Sequence, residues 1–216
     1  LLLVGASLLA LAGPAAHAQS GPQAVPPPET EGPGRYLVFF AFDRAELSEE
    51  GRQTVAQAAE DYCAAAEKRV TQSLPRLLLL GALAGAFIAF AGVAASIGGA
   101  LGGKLASAAI FPIGLTMVLL AGSELFTGNC LFLMPLLRRN ITAGHMLRNW
   151  VAVYLGNLLG SVAVAFLAVQ CGALDGIAEA AVAAAVTKAA LPFGVALLRG
   201  VLCNFLVCLA VWMACC

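Results

Sequence analysis

The run from residue 111 to residue 129 constrains this chain most. It reads FPIGLTMVLLAGSELFTGN, a membrane-grade apolar stretch with Gly122, Ser123, Glu124, Thr127, Gly128 and Asn129 set into it. A helix facing lipid has no use for such an insertion, because unsatisfied backbone groups and an ionisable side chain are costly in hydrocarbon. The insertion becomes reasonable where a broken helix lines a polar pathway through the bilayer. These residues therefore imply a channel or transporter rather than an enzyme.

Charge placement divides the chain in two. Hydrophobic residues make up 61% of it and charged residues 11%. Residues 1–76 hold nine acidic and six basic side chains, which leaves three acidic and six basic over the remaining 140 positions. Only the second part has the composition of an integral membrane protein. Net charge is zero and there is no lysine/arginine-rich run, so nothing suggests a nucleic-acid partner. Five of the seven cysteines lie in or beside apolar runs with no histidine nearby, and none forms a Cys-x-x-Cys pair. They read as small hydrophobes, and nothing requires a metal, a cofactor or a catalytic residue.

Four apolar runs follow residue 76. Residues 77–103 carry no charge over 27 positions, ample for one crossing at roughly 20 residues. Residues 105–137 are interrupted only around Glu124, and residues 150–174 form a third run. Residues 201–216 form a fourth, which stops short of a full crossing. Between the last two, residues 175–198 predict a surface helix and loop. Lys68, Arg69 and Arg76 precede the first run, Lys104 follows it, and Arg138, Arg139 and Arg148 lie between the second and third. This three-one-three pattern places residues near 70 and 140 in the cytoplasm.

The first 62 residues read differently. Residues 1–18 have the apolar core and small-x-small cleavage site of a secretory signal peptide. Residues 19–34 form a Pro/Gly-rich linker. Residues 36–42 predict a buried strand, and Ser48 predicts an N-cap, with Glu49 and Glu50 in the first turn of a helix reaching about residue 60. The segment VFFAFDRAELSEEG at 38–51 resembles the start of an outer-membrane protein A-like domain, so residues 35–62 read as a fragment of one. Export of this part conflicts with the orientation predicted for the rest. That conflict suggests a joined coding sequence with its junction near 62–65; a genuine fusion with inverted topology is the alternative.

The membrane part carries four separate motifs in one order: LLLLGALAGAFI at 77–88, GSELFTGN at 122–129, RNWVAVYLGN at 148–157 and CNFLVCLAVWM at 203–213. Together they resemble the formate/nitrite transporter family, from about residue 64 to residue 213, so residues 64–216 read as a partial domain of that family. The resemblance implies an all-α, aquaporin-like bundle of six helices with the second interrupted. It further implies a homopentamer with one pore per protomer, in a bacterial inner membrane, passing formate, nitrite or hydrosulfide with a possible proton. The chain holds four of those six helices. Those missing would supply the pore histidine and half of the pore wall, which makes the chain incomplete in this reading.

By the same resemblance, Phe111 and Leu115 match apolar pore-lining positions, Leu125 and Phe126 an apolar constriction, and Thr127 a polar contact. Asn204 and Val207 match the pore side of the fourth helix, and Lys188 a vestibule lysine. Spacing agrees: four residues put Phe111 and Leu115 on one helical face, and three do the same for Asn204 and Val207. Taken alone, residues such as Phe111 and Leu115 are more often lipid- or helix-packing residues than pore-lining ones, a lone Lys188 is more often a solvated loop lysine, and a lone Asn204 an interhelical hydrogen-bonding group. Glu124 reads as a loop brace that hydrogen-bonds freed backbone N–H groups, since its charge would repel an anion. Gly81/Gly85 and Gly156/Gly160 have the G-x-x-x-G spacing, which says little by itself. The competing functional readings are an exported envelope-anchoring membrane protein and a fragment without function.

Overall fold

The computed structural model describes residues 48–215, and these are all-helical apart from turns and loops. The expected signal peptide, linker and strand at 36–42 lie outside the described residues. Helix α1 runs Glu49–Val70. Ser48 caps it, its hydroxyl accepting from the Gly51 N–H at 3.0 Å. Glu49 and Glu50 in the first turn, with Lys68 and Arg69 in the last, complement the helix dipole. The helix continues ten residues beyond the end expected near 60, because Tyr62, Ala66 and Val70 recur at four-residue spacing and bury one stripe. That stripe meets Phe132, Ile141 and Met146, and Trp212 packs edge-on to Tyr62 at 5.8 Å between ring centres.

Helix α2, Leu74–Ile110, holds a sharp reversal. Gly103 has φ 72° and ψ −170°, a conformation that glycine alone adopts without strain. Beyond it the chain folds back along its own path. A Cβ on Gly99 would sit 3.2 Å from that of Ser107, one on Gly102 2.8 Å from that of Ala106, and one on Gly114 2.7 Å from that of Ala91. So the segment after Gly103, continued by α3 (Ile113–Leu120) past Pro112, packs antiparallel to the segment before it. Residues 121–125 are not helical. The chain then resumes as α4 (Phe126–Asn129), a 3-10 turn (Cys130–Phe132) and α5 (Leu133–Leu137).

Helix α6, Ala143–Gln170, starts seven residues ahead of the uncharged run that predicted it. Thr142 supplies the cap, accepting from the His145 N–H at 3.2 Å. It ends by Gly172, at φ 71°. It runs parallel to α2, and their glycines face each other across the contact. A Cβ on Gly81 would sit 3.0 Å from the Val153 carbonyl oxygen, and one on Gly156 2.7 Å from that of Leu78. A Cβ on Gly85 would overlap Asn157 backbone, and one on Gly160 Ala82 backbone. The two G-x-x-x-G pairs, uninformative in one dimension, are the face on which these helices approach.

After a 3-10 turn (Asp175–Ile177), helix α7 spans Ala178–Ala189 and is almost wholly exposed, as a surface helix should be. Helix α8, Phe193–Cys215, corrects the fourth run: it begins eight residues before Val201 and is long enough to cross a bilayer over Phe193–Ala214. Counting only uncharged residues misplaced its start. Pro192 sets the N-terminus ahead of the first turn, and Arg199 is accommodated because a long basic side chain can reach toward the interface. The cysteines divide: Cys63 is buried and Cys130 and Cys208 half-buried, while Cys171 and Cys203 are exposed.

Candidate functional site

The interruption of the second helix is a built structure. Helix α3 closes with Gly122 in the left-handed conformation at φ 61°. Ser123 N–H donates back to the Val118 carbonyl at 3.1 Å and Gly122 N–H to Leu119 at 3.2 Å, so the end of the helix has its carbonyls paired. The Ser123 hydroxyl adds a second bond to Val118 at 3.2 Å. From there the loop is pinned to the two neighbouring helices. Glu124 N–H donates to the Leu80 carbonyl of α2 at 3.2 Å. The Asn157 amide of α6 does the rest. Its Nδ2 donates to the carbonyls of Glu124 (2.9 Å) and Gly81 (2.8 Å), and its Oδ1 accepts from Phe126 N–H at 2.9 Å. One side chain thus satisfies backbone groups on both sides of the break, as depth in a membrane requires.

The Glu124 side chain points into a second, charged network. It is 2% exposed. Arg69, in the last turn of α1, grips it with two bonds, Nε to Oε1 at 2.8 Å and Nη2 to Oε2 at 2.9 Å. Arg69 Nη2 also donates to Asn129 Oδ1 at 2.8 Å, and Asn129 Nδ2 donates to Glu124 Oε2 at 2.7 Å. Asn129 Nδ2 reaches Asn149 Oδ1 at 2.9 Å, and Trp150 Nε1 donates to the Asn129 carbonyl at 2.9 Å. The guanidinium lies 5.2 Å from the centre of the Phe132 ring. Asn129 and Asn149 are fully buried. A bidentate arginine–carboxylate pair at this depth fixes distance and orientation together. Glu124 therefore braces the loop through Arg69 and Asn129. The backbone N–H groups expected as its partners go to Leu80 and Asn157 instead.

The residues read as pathway-lining fall into two sets. Leu125, Phe126 and Thr127 occupy the end of the loop and the first turn of α4, all half-buried. Phe126 packs edge-on to Trp150 and Tyr154 at 5.9 and 5.4 Å. Helix α8 comes to the same place: the Cys208 thiol donates to the Thr127 carbonyl at 3.3 Å, and Asn204 Nδ2 lies 3.6 Å from Cys208 Sγ. Thr127 and Asn204 are thereby brought together through Cys208, with Val207 half-buried on the same helix. Asn204 Oδ1 is buried with no hydrogen-bond partner among the described residues. In the other set, Phe111 is 49% exposed at the junction of α2 and α3, Leu115 is half-buried in α3, and Lys188 is exposed in the last turn of α7. No hydrogen bond or ion pair joins these three side chains to the loop among the described residues. No cluster of His, Cys, Asp or Glu suited to a metal occurs among the described residues either.

Sequence reasoning missed Arg69, Asn149 and Asn157 as members of this site, and it marked Asn129 as part of the break without the role of joining Glu124 to Asn149. Asn157 had a usable signal, being a polar amide inside an apolar run. Arg69 had none, since its charge served equally well as a topology marker.

The family described as formate/nitrite transporter matches residues 56–216. The chain is 41% identical to the probable formate transporter of Methanothermobacter thermautotrophicus, with 74% of this chain and 68% of that protein aligned. It is 38% identical to the formate channel BtFdhC of Bacillus thuringiensis, over 73% of this chain and 65% of the relative. Against the nitrite transporter NirC of Escherichia coli (strain K12) it is 43% identical over 51% of this chain and 42% of the relative. The fold is similar to a solved FNT family ion channel, with a TM-score of 0.61 and 32% identity, covering 73% of this chain and 68% of that one. The chain thus spans about two thirds of the length of the first two of these relatives.

Proposed function

Because this chain belongs to the formate/nitrite transporter family, we propose that it lines a transmembrane pathway for small monovalent anions, formate or nitrite, with hydrosulfide as a further substrate. The observation that carries this reading is the locked break at 121–125, where half-buried braces from α1 and α6 and a backbone bond to α2 hold a non-helical segment beside Thr127 and Asn204. Such backbone is tolerated at membrane depth where it borders a cavity. Leu125 and Phe126 form the apolar constriction and Phe111 and Leu115 a second apolar lining, with Val207 beside the polar pair. A bare anion is excluded there by the cost of desolvation. Low dielectric raises the pKa of a weak acid, so the anion takes up a proton from the external water at the pore mouth, crosses as the neutral acid and gives the proton up to water on the other side. The unspent Asn204 Oδ1 suits that species, since an acceptor can take an acid's O–H but repels an anion.

In this reading Lys188 draws the anion to the mouth, five copies assemble with one pore each, and the protein is a multi-pass component of a bacterial inner membrane. Residues near 70 and 140 face the cytoplasm. The structure supports their lying on one side together: Arg148 donates to the Gln72 carbonyl at 2.7 Å and Asn140 to Glu67 at 2.8 Å; the excess of basic residues there is what favours the cytoplasmic side. The attraction step is tested by anion influx into proteoliposomes holding the protein that carries this sequence. Lys188→Ala raises the half-saturating anion concentration several-fold and leaves the maximal rate little changed, while Lys188→Arg behaves as the parent. An unaltered concentration dependence in Lys188→Ala would sink that step.

A further inference from the structure

A second built feature lies where α2 and α6 begin. Between these parallel helices runs a lateral groove of about 440 Å³, walled by Leu74 and Leu78 on one side and by Leu147, Val151 and Leu155 on the other. Arg148 is the single charged residue of the lining among the described residues. The two turns from Leu147 to Leu155 rise about 12 Å at ~1.5 Å per residue, most of the roughly 15 Å that one leaflet contributes to the hydrocarbon core. The arginine stands at the end of the groove nearest the start of both helices. Its Nη1 donates to the Val70 carbonyl at 3.3 Å and its Nη2 to Gln72 at 2.7 Å, which holds the guanidinium in place. A guanidinium has five N–H donors, so several stay available.

We infer that this groove binds one acyl chain of an anionic phospholipid, whose phosphate sits on the Arg148 guanidinium. The chemistry of the two ends agrees with that ligand. The walls are aliphatic and carry no acid, while Lys68, Arg76, Arg138 and Arg139 are exposed on segments adjoining the mouth and add positive field. Glu67, the acid near that end of α1, accepts from Asn140 at 2.8 Å and keeps its negative charge, which the four basic side chains and Arg148 outnumber. A planar, fixed arginine suits phosphate recognition, and a net positive surround favours a headgroup without its own cation. The proposal is independent of which anion the protein carries.

Thermal unfolding of the purified protein in detergent tests it, with phosphatidylglycerol added against phosphatidylcholine of the same acyl chains. Phosphatidylglycerol raises the midpoint by several degrees more than phosphatidylcholine. That difference disappears in Val151→Trp, which fills the groove and leaves the Arg148 contacts alone, and in Arg148→Gln. Because Arg148→Gln also removes hydrogen bonds to the end of α1, only the difference between the two lipids is read, which a general loss of stability leaves intact. Equal stabilisation by the two lipids in the parent protein overturns the proposal, as does a phosphatidylglycerol advantage that survives Val151→Trp. If a second copy of the chain covers the groove instead, Val151→Trp dissociates the oligomer on gel filtration with the lipid preference unchanged, and this too overturns it.

Discussion

Replacing Arg69 by methionine lowers the stability of the folded chain by about 3–5 kcal/mol, the cost of stranding one member of a buried ion pair. The lower end of that range is the expectation, since the Arg69 side chain is 28% exposed and water can enter part of the space it leaves. What remains behind is the Glu124 carboxylate, 3% exposed by side chain, with Asn129 as its one polar side-chain partner among the described residues. Glu124→Gln alone costs less, about 1–3 kcal/mol, because the freed guanidinium can be solvated while the amide keeps some hydrogen bonds. The double variant Arg69→Met/Glu124→Gln recovers at least half of the loss in Arg69→Met. Denaturant unfolding in lipid bicelles measures the cycle. Additive losses in the double variant would show that the two side chains do not act as a pair.

The second large effect concerns the contact between α2 and α6. Gly160→Leu prevents native packing or destabilises it by about 4 kcal/mol or more, beyond the usual cost of overpacking. The reason is what the new atom meets. A Cβ at Gly160 overlaps the backbone of Ala82, and one at Gly85 that of Asn157, so no rotamer change relieves the clash and the helices must part. Parting them withdraws the Asn157 amide from Gly81 and from the loop at the same time. Gly92, on the same α2 helix, has nothing within 4 Å of its would-be Cβ. Gly92→Ala therefore leaves stability unchanged or raises it by up to about 1 kcal/mol through reduced backbone freedom. Melting temperatures of the two variants, side by side, check the contrast.

How much of this could be read from the residues depends on the range of the interaction. Local chemistry was legible. The break in the second helix follows from six polar or small residues within an apolar run, and the cap on α1 from Ser48 ahead of two glutamates. Helix ends set by a local cap against a charge were less so: α6 begins at Thr142 and α8 just after Pro192, each inside a region that a count of uncharged residues assigns to the surface. Long-range pairing was not legible. Arg69 and Glu124 are 55 positions apart, and hydropathy carries no information on which basic residue of several will meet a buried acid. Gly81, Gly85, Gly156 and Gly160 show the same limit. Their spacing marks surfaces that could approach closely, but only the folded chain pairs one surface with the other. Of the residues assigned to the pathway, Leu125, Phe126, Thr127 and Asn204 gather at one place, while Phe111 and Lys188 are exposed away from any direct bond to it.

The central claim is that the braced break borders a route for small anions, and flux tests it most directly. Proteoliposomes holding the protein that carries this sequence are to be compared with protein-free vesicles for entry of formate or nitrite across a range of external pH. The account predicts saturable entry well above the empty vesicles, rising as external pH falls, because the permeating species is the protonated acid. Entry no faster than in empty vesicles at every pH would contradict it.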